Sequence, residues 1–222
     1  MMYFEITTRC NIRCAHCCGS YPRRGGDMSR ETFLAGVRPA EEWGEHVEIG
    51  GGEPTLHPLL FDLIGLAMAH AEESTVWLAT NGKEREPTVR LWRMARDGRI
   101  QVELSVDDWH EAIDWDVEKL FQPKREHGER VSTLYAVRHV DGEHVIPVGR
   151  ARRNGLGTHG LRNRSHDCPC STPWVRHDGA LFACGCQTVQ FGTVLAPDLD
   201  GLQHRQDRLE ARYGVERGGN HC

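Results

Sequence analysis

Three closely spaced cysteines constrain this chain more than any other feature of its sequence. Cys10, Cys14 and Cys17 are separated by three and two residues and directly follow the apolar, β-prone run at residues 3–8. Three thiolates on one tight loop can hold three irons of a cubic 4Fe–4S cluster. The fourth iron then has no ligand from this loop, and an open metal position can take a substrate. A structural zinc site is the alternative, although zinc knuckles usually begin with Cys-x2-Cys pairs.

Length and composition indicate an ordinary globular protein. The 222 residues, 39% hydrophobic and 27% charged, suffice for one main domain and a small appendage. The net charge of −5 creates no basic field that would attract nucleic acid. The nine cysteines could indicate a secreted disulfide protein, but the chain opens directly into a strand, and the cysteine spacings suit metal better than disulfides. No apolar run is long enough to span a bilayer, so we expect a cytoplasmic protein with no membrane partner.

Strands and helices alternate along the first 150 residues, a pattern typical of parallel βαβ units. The predicted strands are residues 3–8, 46–49, 74–79, 100–106 and 131–137, and the predicted helices begin near residues 29, 58, 87 and 116. Pro39 should break or kink the first helix. Asp141-Gly142 favours an antiparallel hairpin between the fifth strand and residues 144–148. Four or five βα units then form an incomplete barrel, with chemistry expected where the strands end.

A glycine-rich loop follows the second predicted strand. It reads Gly51-Gly52-Glu53-Pro54. Glycines let the backbone come close to a ligand, and a carboxylate can accept hydrogen bonds from an amine. In isolation such a loop is usually a turn, but here it lies one βα unit after the cysteine loop.

The two loops together resemble the radical S-adenosylmethionine (SAM) superfamily, whose signatures are Cys-x3-Cys-x2-Cys after the first strand and Gly-Gly-Glu after the second. The resemblance implies an α/β fold, a partial TIM-like barrel over residues 1–150. It implies that the cysteine loop holds a 4Fe–4S cluster, that SAM chelates the open iron, and that residues 51–54 bind its methionine amino group. It also implies reductive cleavage of SAM to a 5′-deoxyadenosyl radical, which abstracts hydrogen from a substrate. An external one-electron donor such as flavodoxin or ferredoxin would supply the electron.

Further residues resemble family positions near SAM. Asn81 ends the third predicted strand, and Ser105 and Asp107 end the fourth; a turn and a helix cap are the alternatives for Asn81 and Asp107. Arg150 lies in a segment similar to one near the family's sixth strand and could pair with the SAM carboxylate. His16 stands where the family usually has an aromatic residue near the adenine, and it can stack less extensively. No segment matches the family's adenine motif after the fifth strand.

Four more cysteines form a second group, Cys168, Cys170, Cys184 and Cys186. Residues 174–182 between the two pairs predict a hairpin with an Asp-Gly turn, which would bring both pairs together. Four thiolates suit either a 4Fe–4S cluster or a zinc tetrahedron. The stretch resembles the twitch or SPASM extension of radical SAM enzymes, which implies an auxiliary 4Fe–4S cluster. We therefore expect residues 151–222 to form a cysteine-rich extension, ending in a helix over residues 198–213.

The substrate class stays open at the level of sequence. An open-sided barrel could admit a peptide or an amino-acid side chain, and twitch and SPASM extensions often accompany peptide modification. Five arginines among glycines at residues 149–164 prompt a nucleotide or nucleic-acid base as the alternative, although a solvated loop explains them more simply. A zinc-binding interaction module and an electron carrier are non-enzymatic alternatives, and the glycine loop argues against both. His110, Glu111, Asp114 and Asp116 could act as acid or base groups, but a solvated helix start is more typical.

Overall fold

One nine-stranded sheet runs through the described part of the chain. The computed structural model describes residues 1–42, 46–71, 76–122, 134–138, 145, 148–157, 172–185, 187 and 189–213. The strands are β1 (Met2–Thr7), β2 (Val47–Gly51), β3 (Val76–Thr80), β4 (Gln101–Ser105), β5 (Tyr135–Arg138), β6 (Trp174–Val175), β7 (Ala180–Phe182), β8 (Gln190–Thr193) and β9 (Ala196–Pro197). Their order is β5-β4-β3-β2-β1-β6-β7-β8-β9. All pairs from β5 to β6 are parallel, and the remaining pairs are antiparallel.

The helices follow the strands in the order that the sequence predicts. They are α1 (Arg30–Glu42), α2 (Leu60–His70), α3 (Arg85–Arg96), α4 (Trp115–Phe121), α5 (Gly149–Arg153) and α6 (Leu199–Tyr213), with one 3-10 turn at Pro54–Leu56. Helices α1, α2 and α3 each join two neighbouring parallel strands, as the predicted βα units require. The open sheet confirms the incomplete barrel, and none of the described helices is long and apolar enough to cross a bilayer.

Strand alternation gives the sheet two different faces. Phe4, Ile49 and Leu78 lie in register on β1, β2 and β3, and each is fully buried in the main core. They share this core with helix residues such as Phe33 and Leu63. The side chains one position earlier, those of Tyr3, Glu48 and Trp77, point to the opposite face of the sheet. This face forms the inside of the open barrel.

Two local predictions near prolines and glycines need correction. Pro39 does not end α1, which continues to Glu42, because Val37 and Ala40 on either side of it are fully buried in the core. The solvated loop expected at residues 149–164 is wrong at its start, where Gly149–Arg153 forms α5. This short helix forms because Ala151 is buried and its backbone amide donates to the carbonyl oxygen of Cys17.

The C-terminal extension joins the barrel through the sheet itself. The predicted hairpin is confirmed: Trp174 pairs with Phe182, and Gly179 has the positive φ of +85° that the tight turn requires. Strand β6 pairs in parallel with β1, so the sheet is continuous from the barrel into the extension. The terminal helix is confirmed as α6, with Leu202 in the core. The boundary near residue 150 stays a prediction, and most of the hairpin strand at residues 144–148 lies outside the described residues.

Candidate cofactor site

A cavity of about 260 Å³ lies where β1 to β4 end. Its rim contains the three cysteines of the first loop, the glycine loop after β2, Asn81 after β3 and Ser105 at the end of β4. The carboxyl ends of parallel strands are where α/β folds gather their functional groups. The structure thus brings most of the predicted site residues to one opening.

The cysteine loop presents three free thiols close to one another. Cys10 and Cys14 are each 9% exposed, and Cys17 is partly buried. The backbone N–H of Ser20 donates to the Cys17 sulfur over 3.2 Å, which holds the loop's last thiol in place. Burial, followed by the charges of Cys10 and Cys17, raises the pKa of Cys14 to about 12. The three thiols line the same cavity, and binding of a metal would displace their protons.

The donor set fits a cubic cluster with one open iron. Three thiols converge from one loop, and none of the described cysteines is in a disulfide. The cavity continues beside them, which leaves room for a ligand at the fourth iron. The structure therefore has the donors and the space that the sequence predicts for a 4Fe–4S cluster.

The glycine loop packs directly against the cysteine loop. The N–H of Gly52 donates to Thr7 O and that of Glu53 donates to Arg9 O, both over 2.8 Å. A Cβ atom at Gly52 would clash with the Arg9 carbonyl oxygen, and Gly51 has a φ of +131°. Only glycine tolerates both the close approach and this conformation, so the Gly-Gly pair allows the two loops to meet.

The carboxylate of Glu53 is surrounded by protein donors. One oxygen accepts hydrogen bonds from the Thr55 N–H, the Thr55 hydroxyl and the Thr80 hydroxyl, and the other accepts from the Asn81 N–H over 2.7 Å. Glu53 is 1% exposed, and this burial raises its pKa although the hydrogen bonds oppose the shift. The side chain therefore joins the glycine loop to β3, while its predicted contact with the SAM amine stays a prediction.

Asn81 connects the third strand to the cysteine loop. Its side-chain N–H donates to Asn11 Oδ1 over 2.8 Å and lies 4.0 Å from the Cys10 sulfur. Its own Oδ1 accepts from the Lys83 N–H, as an Asx turn requires. The turn alternative is thus present, and it places the Asn81 amide beside the cluster loop.

A group of rings lies on the β4 side of the cavity. His16 has its ring centroid 4.9 Å from that of Trp109 and 5.1 Å from that of His110. Asp107 accepts hydrogen bonds from the His110 ring over 2.7 Å and from the Trp109 N–H over 2.9 Å. Burial lowers the pKa of His16, which therefore favours the neutral ring.

His110 lines the cavity, whereas Asp107 lies behind it as its partner. Burial alone would raise the pKa of Asp107, but the hydrogen bonds from His110 and Trp109 outweigh burial and hold it below the ordinary value. Sequence reasoning missed Trp109 and favoured a solvated helix start for His110. An aromatic residue and a histidine immediately after Ser-x-Asp were the available signal.

Arg150 contacts the backbone of the cysteine loop. Its guanidinium donates to Cys14 O over 2.9 Å and to Tyr21 O over 3.3 Å, and its backbone N–H donates to Cys17 O over 2.9 Å. Gly149 before it has a φ of +54°, and a Cβ there would clash with the Cys18 carbonyl oxygen. The residue thus fixes the loop backbone, and its predicted pairing with the SAM carboxylate stays a prediction.

The second cysteine group is described at only one position. Cys184 follows β7 and is buried. Cys168, Cys170 and Cys186 lie outside the described residues, so the auxiliary site stays a prediction. Of the arginine-rich segment at residues 149–164, the structure describes residues 149–157.

Sequence comparison matches residues 4–150 to the model of the Radical SAM superfamily. The mycofactocin maturase MftC of Mycobacterium ulcerans (strain Agy99) is 34% identical over 106 residues, which cover 47% of this chain and 28% of that protein. The GTP 3′,8-cyclase of Shewanella denitrificans is 28% identical over 178 residues, covering 78% of this chain and 48% of the cyclase. This chain thus aligns with under half the length of either relative.

Comparison with solved structures gives the same fold. BtrN in complex with AdoMet and 2-DOIA superposes with a TM-score of 0.62 at 16% identity, covering 95% of this chain and 84% of BtrN. The anSMEcpe structure with bound AdoMet and the Cp18Cys peptide superposes with a TM-score of 0.58 at 15% identity, covering 94% of this chain and 81% of anSMEcpe.

Proposed function

This chain belongs to the radical SAM superfamily, and from that premise we propose that it cleaves SAM reductively at a 4Fe–4S cluster to modify a peptide or amino-acid side chain. Cys10, Cys14 and Cys17 hold the cluster in this proposal. The observation that carries it is their convergence beside the Gly51-Gly52 backbone at one end of the cavity.

The chain's own groups divide the work at this site. A 4Fe–4S cluster held by Cys10, Cys14 and Cys17 would supply the electron for reductive cleavage of SAM, and the resulting radical would take a hydrogen atom from a substrate C–H bond. Arg150 holds the backbone of the cysteine loop, and Glu53 holds the glycine loop against β3. The glycine backbone can approach the methionine part of SAM, and Ser105 and His16 face the same cavity on its other side. Binding and orientation are thus assigned to loops that rigid strands position.

A peptide substrate is supported by two of the compared proteins. The MftC relative is a maturase, and anSMEcpe has a peptide bound in its structure. The sheet is open on its β5 side in the described residues, which gives a large substrate a way in. Nothing in the comparisons supports the zinc-binding module, and a nucleotide substrate is left as an outcome of the assay below.

The remaining partners follow from the same chemistry. An external one-electron donor such as flavodoxin or ferredoxin would reduce the cluster. The second cysteine group would hold an auxiliary 4Fe–4S cluster, with Cys184 as the ligand on the β7 side. A cytoplasmic location is supported by the cysteine spacings, which suit metal ligands in a reducing compartment better than disulfides.

The test replaces Cys10, Cys14 and Cys17 with alanine in anaerobically reconstituted protein. We expect the variant to lose about four irons per chain and to form no 5′-deoxyadenosine from SAM under dithionite, because each thiolate is a ligand. Cys18→Ala is the matched control, since Cys18 is exposed, and it should retain both iron and cleavage.

Formation of 5′-deoxyadenosine by the triple variant would refute the proposal, as would equal iron loss in the Cys18 control. Added peptide pools and nucleotides then address the substrate, since a hydrogen donor increases turnover of SAM. An increase with nucleotides alone would replace the peptide assignment.

A further inference from the structure

The inner face of the sheet carries a carboxylate between two aromatic side chains. Tyr3 on β1, Glu48 on β2 and Trp77 on β3 lie in register, so they form one row across three neighbouring strands. All three line the cavity that also contains the cofactor site. Trp174 on β6 extends the row by stacking on Tyr3, with ring centroids 3.7 Å apart.

The row is built rigidly. The Tyr3 hydroxyl accepts a hydrogen bond from the Gly51 N–H, which ties the row to the glycine loop. Tyr3 is therefore held on one side by Trp174 and at its tip by the loop. Because partners in register on adjacent strands are about 5 Å apart, Glu48 is within reach of both neighbouring rings.

Glu48 is the one acidic side chain in this row. Among the described residues no hydrogen bond reaches its carboxylate. Arg138 also lines the cavity, but its guanidinium lies 3.9 Å from the carboxylate of Glu103. Burial raises the pKa of Glu48 to about 7, Arg138 and the terminal ammonium oppose the shift, and Glu103 adds to it. A partly buried carboxylate that accepts no hydrogen bond from the described residues is costly, so this position favours a further cation.

We propose that Glu48, together with the faces of Tyr3 and Trp77, binds a positively charged group of the substrate, an ammonium or guanidinium. The carboxylate accepts charge-assisted hydrogen bonds, and the two rings add cation–π attraction. This assignment rests on the proposed function and narrows its substrate to a peptide or amino acid with a basic side chain or free amine.

The distance along β2 gives the site its place in the reaction. Glu48 precedes the glycine loop by three residues, so at the usual rise per residue it lies about 10 Å from the cofactor end of the cavity. If the charged end of the substrate binds Glu48, the carbon chain next to it lies between Glu48 and the cysteine loop. The attached chain would thus present C–H bonds toward SAM, which makes Glu48 a positioning residue for hydrogen abstraction.

The experiment measures binding of three amides to the reconstituted, SAM-loaded protein by calorimetry. Nα-acetyl-lysine amide and Nα-acetyl-arginine amide carry the cation, and Nα-acetyl-norleucine amide has a similar chain without it. We expect the basic amides to bind the native protein at least about tenfold more tightly than norleucine amide, a typical effect of one partly buried charge pair. Glu48→Gln should abolish this preference, whereas Glu86→Gln, on the exposed start of α3, should keep it.

Equal binding of the lysine and norleucine amides to the native protein overturns the proposal, even if Glu48→Gln fails to fold. The proposal is also overturned if Glu48→Gln keeps the full preference for the basic amides over norleucine amide. It is overturned as well if neither basic amide binds the native protein. Iron content and dithionite-driven SAM cleavage of the native protein separate the two proposals. Native protein that holds its cluster and cleaves SAM but shows no preference for the basic amides refutes only the cation site, whereas loss of cleavage in the native protein would refute the proposed function.

Discussion

Replacing Arg150 tests whether the cysteine loop depends on α5. The guanidinium donates to the carbonyl oxygens of Cys14 and Tyr21, at the middle and the far side of the loop. Hydrogen bonds from a charged donor contribute about 1.5–3 kcal/mol each. Because the bond to Tyr21 is long and Arg150 is only partly buried, we take about 2–3 kcal/mol for both together. Arg150→Ala should then increase local opening of the loop about 30- to 150-fold.

Two measurements follow this opening. Hydrogen exchange of the metal-free protein should accelerate by that factor at residues 10–22, and iron should leave the reconstituted protein faster in the presence of a chelator. Arg152→Ala is the matched control, since Arg152 lies on the same short helix with an exposed side chain. Arg150→Lys should behave much like the alanine variant, because lysine lacks the planar fork that reaches two carbonyls.

The reasoning is refuted if Arg150→Ala and Arg152→Ala exchange at the same rate at residues 10–22. A third result is also informative. If Arg150→Ala keeps its iron and its exchange rates but binds SAM more weakly, Arg150 contacts the SAM carboxylate and does not act through the loop.

Two further predictions concern buried acids. Glu53→Gln should lower the free energy of unfolding by about 1.5–3 kcal/mol in a urea titration, because an amide cannot accept from the Thr55 and Thr80 donors on one side and Asn81 N–H on the other; an unchanged midpoint would contradict this. Burial and its two neighbouring thiols raise the pKa of Cys14 from 9.0 to about 12, so the folded metal-free protein favours the protonated thiol. The stability that the protonated Cys14 thiol contributes is fully present below pH 9.0 and is lost as the pH rises toward 12. The urea midpoint of the native protein should therefore fall between pH 8 and 10.5 by more than the midpoint of Cys14→Ala. An equal fall in the two proteins would contradict this prediction.

The local patterns of this sequence were sufficient for the barrel and for its two main loops. Apolar residues at alternate positions of β1 to β4 decide which face meets the helices, and that alternation is visible in the sequence. The same holds for the hairpin at residues 174–182, where Asp178-Gly179 forms the turn. The cysteine and glycine loops are each built from consecutive residues, so their spacing carries the chemistry directly.

Features that depend on distant partners could not be predicted in this way. Gly149 and Arg150 have the composition of a solvated loop, and it is the Cys17 carbonyl, far away in sequence, that orders them as helix. The place of β6 next to β1 is likewise a long-range pairing that no local pattern contains. Glu53 was predicted as a ligand contact because its motif is known, whereas its four donors are set by the way β2 and β3 come together.

The parallel pairing of β1 with β6 also constrains the order in which the strands of the sheet can pair during folding. Strand β1 lies between β2 and β6, and its partner on one side is separated from it by most of the chain. Pairings of such high contact order are slow to form, because a long loop must close before they contribute. Until residues 174–175 arrive, the backbone of β1 at Tyr3 and Phe4 is an open sheet edge of the kind that recruits foreign strands. The strand that leads into the cysteine loop therefore gains its second neighbour only after residues 174–175 have been synthesised.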